Sequence, residues 1–143
     1  MSTQENKALN RRLVEEGFSK ANVAVIDELI ADDCLDHSSP PGSLSGREGV
    51  KQFFTMFHGA FPDLTYTIED QVAQEDRVVT RHTWHGTHKG TFLGIPPTGK
   101  QVAVAGIDIT RWAGGKAVEH WGSQDTLGLM QQLGVVPPPG STA

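Results

Sequence analysis

The sequence predicts a single α+β domain, and three observations carry that prediction. Apolar residues recur at helical spacing in separate segments up to Pro62. From Leu64 onward β-branched and aromatic residues dominate, in runs bounded by turn signals. Helices come first and strands afterwards, the order of an α+β domain rather than of alternating βα units. The chain has 143 residues, 37% of them hydrophobic and 20% charged, enough for one sizeable core.

Ser2 followed by Glu5 fits a capping box, and Leu9, Leu13, Val14 and Phe18 then follow at helical spacing. A short second helix is expected over 23–31, with Asn22 as its cap. The stretch 32–46 holds Pro40, Pro41 and several serines, and reads as a strand stub plus a loop. Ser45 and Glu48 form a second capping box. The helix behind them carries Val50, Phe53, Phe54, Phe57 and Phe61 as one apolar stripe, expected to cover the core. Strands are expected over roughly 64–73, 77–90, 100–112 and 116–123, with turns at 74–76 and at Gly114-Gly115. A last helix spans 126–133 and stops at Gly134. The domain is expected to occupy 1–136. The Pro-rich tail 137–143 cannot continue a helix and is expected to be extended or disordered. A curved sheet wrapped around a long helix would leave one open mouth lined by side chains, where function should lie.

Composition excludes several classes. The net charge is −5 and the twelve Lys and Arg residues are scattered, so no nucleic-acid footprint is expected. No apolar run approaches the ~20 residues of a membrane span, and a cytoplasmic address is expected. Cys34 is the only cysteine, which rules out an intrachain disulfide, and it reads as a small buried residue. His82, His85 and His88 are three apart, so a strand sends them to alternating faces and no metal site is expected. Phosphate-loop, dinucleotide and nucleophile-elbow motifs do not occur.

Two segments carry a family resemblance. One is Gly86-Thr87-His88-Lys89-Gly90-Thr91-Phe92-Leu93-Gly94-Ile95-Pro96-Pro97-Thr98-Gly99-Lys100. The other is Gly115-Lys116-Ala117-Val118-Glu119-His120-Trp121, followed by Leu127-Gly128-Leu129-Met130-Gln131-Gln132-Leu133-Gly134. With Asp36-His37 as a third, weaker match, the chain resembles the SnoaL-like polyketide cyclase (ester cyclase) family along nearly its whole length. The resemblance implies a ketosteroid-isomerase-like, NTF2-like cone, in which a curved antiparallel sheet wraps around N-terminal helices. It implies an oligomer, a homodimer in the simplest case, and no metal or organic cofactor. It also implies an intramolecular aldol reaction driven by a carboxylate directly after the His-Trp-like pair. That position here is Gly122, and the nearest carboxylate downstream is Asp125.

Aldol closure and isomerisation both need a base that removes a proton next to a carbonyl, and a donor that stabilises the enolate. Asp108 is the strongest candidate base, because it interrupts the apolar strand around Val102, Val104, Ile107 and Ile109. Strand alternation groups Asp108 with Val102, Val104, Gly106 and Thr110. His120 is the candidate second proton carrier, on the face of Val118 and Gly122. A two-residue loop at Gly114-Gly115 would set Asp108 opposite Trp121. A three-residue loop would set it opposite Gly122 and diagonal to His120, and the family match favours this register. Gly122 would then leave a gap beside Asp108 for water or substrate. Asp125 is a third catalytic candidate, with helix capping as its other reading. His37, Met56, Trp84 and Arg81 are candidates for the pocket mouth. The expected function is acid/base chemistry on a small, apolar, oxygenated molecule. The alternatives are a non-catalytic binder of a hydrophobic ligand and a hydroxylase-like accessory protein. Apolar residues on both sheet faces, Val104 against Ile107 and Ile109, predict that a second copy covers the outer face.

Overall fold

The computed structural model describes residues 1–137 and residue 140; the expectation for the tail falls largely outside them. Helix α1 (Thr3–Arg12) starts where Ser2 Oγ accepts the Glu5 N–H at 3.1 Å. It runs on into a π-helical stretch, Leu13–Phe18, a wider winding that often marks functional regions. Helix α2 is Val23–Leu29, shorter than expected, and Asn22 holds the cap position without a side-chain bond. The chain extends from Ile30 because strand β1 (Ile30–Asp36) finds backbone partners along the last strand, β5. Helix α3 (Gly46–Ala60) follows, with Ser45 at its cap position but no side-chain cap bond, so the second capping box does not form.

Strands β2 (Thr65–Gln74), β3 (Arg77–Thr87), β4 (Gln101–Ala113) and β5 (Lys116–Gln124) follow the expected meander, and α4 (Thr126–Leu133) closes the chain. The curved sheet has the order β1-β5-β4-β3-β2. The meander is antiparallel, whereas β1 lies parallel to β5. Two residues, Gly114 and Gly115, make the β4–β5 turn, both at positive φ, with Ala113 opposite Lys116. The three-residue loop is therefore not formed. A bulge supplies the missing residue instead: Trp112 pairs with Ala117 but Arg111 with Glu119, leaving Val118 extra. Asp108 then meets Gly122, the expected partner reached by a different route. The bulge also puts Ala117, not Val118, on the inner face with His120 and Gly122.

Two apolar clusters form the core. Phe57, Phe61, Trp84, Phe92, Leu129 and Leu133 belong to the one beneath α3. Leu13, Ile26, Leu29, Cys34, Val78 and Trp112 belong to the other, packed by the N-terminal helices. A buried polar strut ties α1 to the sheet: Trp112 Nε1 donates to Asn10 Oδ1 at 3.2 Å, and Asn10 Nδ2 donates to Thr80 Oγ1 at 2.8 Å. Members of both clusters line a cavity of about 290 Å³ that opens between them. No helix among the described residues is long and apolar enough to cross a membrane.

Candidate acid-base site

The polar end of the cavity is built by side chains that lean diagonally from strand to strand. His82 on β3 lies opposite Gly106 on β4, and Asp108 on β4 lies opposite Gly122 on β5. Asp36, the last residue of β1, lies opposite His120. Both glycines are there for space. A Cβ on Gly106 would sit 2.6 Å from His82 Cε1, and one on Gly122 would sit 2.5 Å from Asp108 Oδ1. The room that Gly122 leaves beside Asp108 is shared between the Asp108 carboxylate and the cavity, which Gly122 also lines.

The resulting chain of contacts is continuous. His82 Nε2 donates to Asp108 Oδ2 at 2.7 Å, and His120 Nε2 donates to Asp108 Oδ1 at 3.1 Å. His120 Nδ1 donates to Asp36 Oδ1 at 2.9 Å. The same Asp36 oxygen accepts the Ser38 N–H at 2.9 Å and the Ser38 hydroxyl at 2.8 Å. His82, Asp108 and His120 all line the cavity, but His82 is almost sealed, with its Nδ1 unpartnered, whereas the Asp108 and His120 side chains are each 29% exposed. His82 therefore positions the carboxylate, while Asp108 and His120 are the groups a bound molecule can touch.

The electrostatics follow from this geometry. Burial pushes the His120 imidazolium toward losing its proton, but hydrogen bonds to Asp108 and Asp36 outweigh it and raise the pKa to about 9. Burial likewise pushes Asp36 up, and bonds from His120 and Ser38 reverse that, leaving it at about 2. Asp108 moves the same way: burial opposes ionisation, but His120 and His82 hold its carboxyl below the usual range. At neutral pH the resting site is an imidazolium between two carboxylates. The neutral-range base expected at Asp108 is not what the unliganded site contains.

Other expected residues lie elsewhere. Asp125 caps α4, its Oδ1 accepting the Gly128 N–H at 2.8 Å, and it does not line the cavity. His37 turns to the outer face, where Nε2 bonds Glu119 Oε2 at 2.7 Å and the ring stacks on Trp121 at 4.9 Å. Met56 is 40% exposed on α3, and Trp84 is fully buried among Phe57 and Phe61, both outside the cavity wall. Arg81 points outward to Asp70. Asp108, His120 and Gly122 do come together. His82, Asp36 and Ser38 are the members that residue patterns missed. The alternation of β3 was the available signal for His82, since it shares the inner row with Thr80 and Trp84. For Asp36, the signal was the Asp-x-Ser turn at the end of a strand.

A curved sheet over helices, with one cavity bearing a carboxylate–imidazole cluster, defines a small α+β protein of the NTF2-like class. The model of the SnoaL-like polyketide cyclases matches residues 8–133, and the chain belongs to that family. Nogalonic acid methyl ester cyclase of Streptomyces nogalater is 25% identical over 125 residues, covering 82% of this chain and 89% of that protein. TsrD from Streptomyces laurentii has a TM-score of 0.87 at 26% identity, covering 95% of this chain and 99% of its own. IdmH from Streptomyces antibioticus, which carries the assignment polyketide cyclase, has a TM-score of 0.80 at 33% identity, covering 90% of this chain and 98% of its own.

Two predictions come from this geometry. His120 is expected to remain an imidazolium through pH 8, and Asp36→Asn is expected to lower its pKa, both read from the ring-nitrogen NMR shifts. The raised His120 pKa gives stability that is full below its ordinary 6.5 and lost as pH rises through about 9. The lowered Asp36 pKa gives stability present above its ordinary 3.8 and lost as pH falls through about 2. Denaturant melts should therefore show a plateau between about pH 4 and 6.5 with losses on both sides. In the second prediction, Gly122→Ala drives Asp108 off His120 and costs about 1–3 kcal/mol through overpacking. The His120 pKa should fall with it; an unchanged titration would show that Asp108 has not moved.

Proposed function

We propose that the protein catalyses proton transfer next to a carbonyl, in an intramolecular aldol-type ring closure of a small oxygenated molecule. Membership of a cyclase family supports the cyclase-type reading. The observation that carries the mechanism is the pairing of Asp108 and His120 at the polar end of an otherwise apolar cavity. Phe18, Phe53, Phe54 and Phe57 form its apolar side. At about 290 Å³ the cavity stands at the small end of the roughly 300–1,000 Å³ typical of ligand pockets. It suits the reacting ring of a substrate, with the remainder toward the mouth at Ser39, Pro40 and Leu93.

The roles follow from the resting charges. A substrate carbonyl oxygen takes the place of Asp108 Oδ1 as acceptor for the His120 Nε2–H. His120 then stabilises the negative charge that develops on that oxygen, as an oxyanion donor does. Asp108 loses one of the two donors that depress its pKa and becomes a stronger base. It removes the proton from the carbon next to the carbonyl, and the resulting enolate carbon attacks a second carbonyl of the same molecule. His120 hands a proton to the alkoxide formed, and Asp108 returns its proton through the restored bond.

Turnover of nogalonic acid methyl ester, the compound in the name of the curated relative, provides the assay. Asp108→Asn is expected to lower turnover by roughly 10²–10⁴-fold while changing affinity far less. Full activity in a folded Asn variant would remove Asp108 as the base. Loss of stability with activity intact would make the cluster structural.

We also propose that two copies associate through the outer sheet face. Val72, Val79, Ile109 and Trp121 are successive cross-strand partners there, an apolar row over four strands, and Ile107 beside it is 50% exposed. Sedimentation should show twice the 15.5 kDa chain mass, and Ile109→Lys should shift it toward one chain.

A further inference from the structure

Tyr66 stands on the inner face of β2, opposite Trp84 and one inward position before Ile68, which faces His82. Its ring is tilted against Phe18 and Phe54 at 6.4 Å each and against His82 at 5.2 Å, and the residue lines the cavity. Among the described residues its phenol oxygen makes no hydrogen bond; only its backbone N–H is engaged, donating to Ser19 Oγ at 3.0 Å. Nor is that oxygen among the sealed, unpartnered side-chain atoms. It therefore touches open space, and the open space on this face of the sheet is the cavity. A tyrosine hydroxyl in an aromatic wall ordinarily has a partner. Burial, and then the negative charge of Asp108, hold the phenol in its protonated, donating form.

The geometry points to Tyr66 as the second polar anchor of the ligand, donating its hydroxyl to an acceptor oxygen remote from the reacting carbonyl. This rests on the reading of Asp108 and His120 given above. It narrows the substrate class to molecules that carry oxygen at two places separated by an apolar ring body. The separation is set by the sheet: Tyr66 is on β2, while Asp108 is two strands away on β4 and His120 three strands away on β5. Strands lie about 4.8 Å apart, so the backbones that carry the two anchors are about 10 Å or more apart, and on this proposal the anchors hold two separate oxygens of one ring system. A substrate with a single oxygen would leave the phenol unpaired in an aromatic wall.

Two fused-ring ketones test this directly: 1-tetralone, with one oxygen, and 6-methoxy-1-tetralone, with a second oxygen across the ring system. Calorimetric titration of the wild-type protein should show the methoxy ketone binding about five- to tenfold tighter, the yield of one neutral hydrogen bond. Tyr66→Phe should abolish that preference and leave 1-tetralone within about twofold of its wild-type affinity. The same variant should melt at or above the wild-type temperature, because a phenol without a protein partner is replaced by its apolar isostere. A preference that survives in the Phe variant, or an equal loss for both ketones, would overturn the role of Tyr66 alone. A clear fall in melting temperature would do the same, since it would reveal a structural partner for the hydroxyl. Failure of both ketones to bind the wild-type protein would overturn the ligand-binding reading itself.

Discussion

A carboxylate on the inward face of a central strand must replace the water it gives up with donors of its own. In this protein His82 and His120 supply them, one to each oxygen of Asp108. The arrangement constrains several strands at once. His82 needs β4 to carry glycine opposite it, and Asp108 needs β5 to do the same. His120 faces inward only because the bulge at Val118 shifts the alternation of β5. Its second nitrogen is held by Asp36, which requires β1 to run parallel beside β5. One inward-facing carboxylate thus explains two glycines, a bulge and the docking of an edge strand.

The resemblance assigns the family carboxylate to the position of Gly122, and its loss there invites the conclusion that the chemistry is lost too. The geometry argues otherwise. A side chain at 122 would occupy the volume that Asp108 Oδ1 now fills, at 2.5 Å from the Cβ position. The Asp108 carboxylate, delivered from the neighbouring strand, therefore stands where a side chain at 122 would begin. Glycine at 122 then becomes a requirement of the arrangement, because any Cβ would push Asp108 away from His120.

Much of this fold was legible because its signals are local. The Phe53-to-Phe61 stripe and the strand boundaries near Thr65, Arg77 and Gln101 follow from periodicity and turn residues alone. The β4–β5 register was not, since a bulge is a balance between two strands and leaves no residue type as its mark. The two-residue turn is what Gly-Gly ordinarily makes, yet taken alone it would have placed Asp108 opposite Trp121. Helix α2 was read too long for a related reason: Ile30 serves a helix or a strand equally well, and pairing with β5 decides. The other polar members of the cluster were hidden by distance along the chain. His82 and Asp36 lie 26 and 72 residues from Asp108, and only the strand order β1-β5-β4-β3 brings them to one end of the cavity.

The low pKa of Asp108 at rest conflicts with a role as base only if the site keeps the same partners during reaction. An imidazolium between two carboxylates keeps a net negative charge, but each carboxylate is paired with one of the ring N–H groups, which holds the cluster together when the cavity contains no substrate. Its three charges can be redistributed by a single exchange of acceptors. In the mechanism we propose, a carbonyl oxygen captures the His120 Nε2–H, and the bond that depressed Asp108 is transferred to the group that must become an oxyanion. The same proposed step would set the donor on the developing charge and restore basicity to the carboxylate, with the Asp36 bond orienting the imidazole. His82 stays on the other oxygen of Asp108, so the freed oxygen faces the substrate without the side chain rotating away. On this proposal acid and base would be released together, by a molecule that presents an oxygen at the polar end of the cavity.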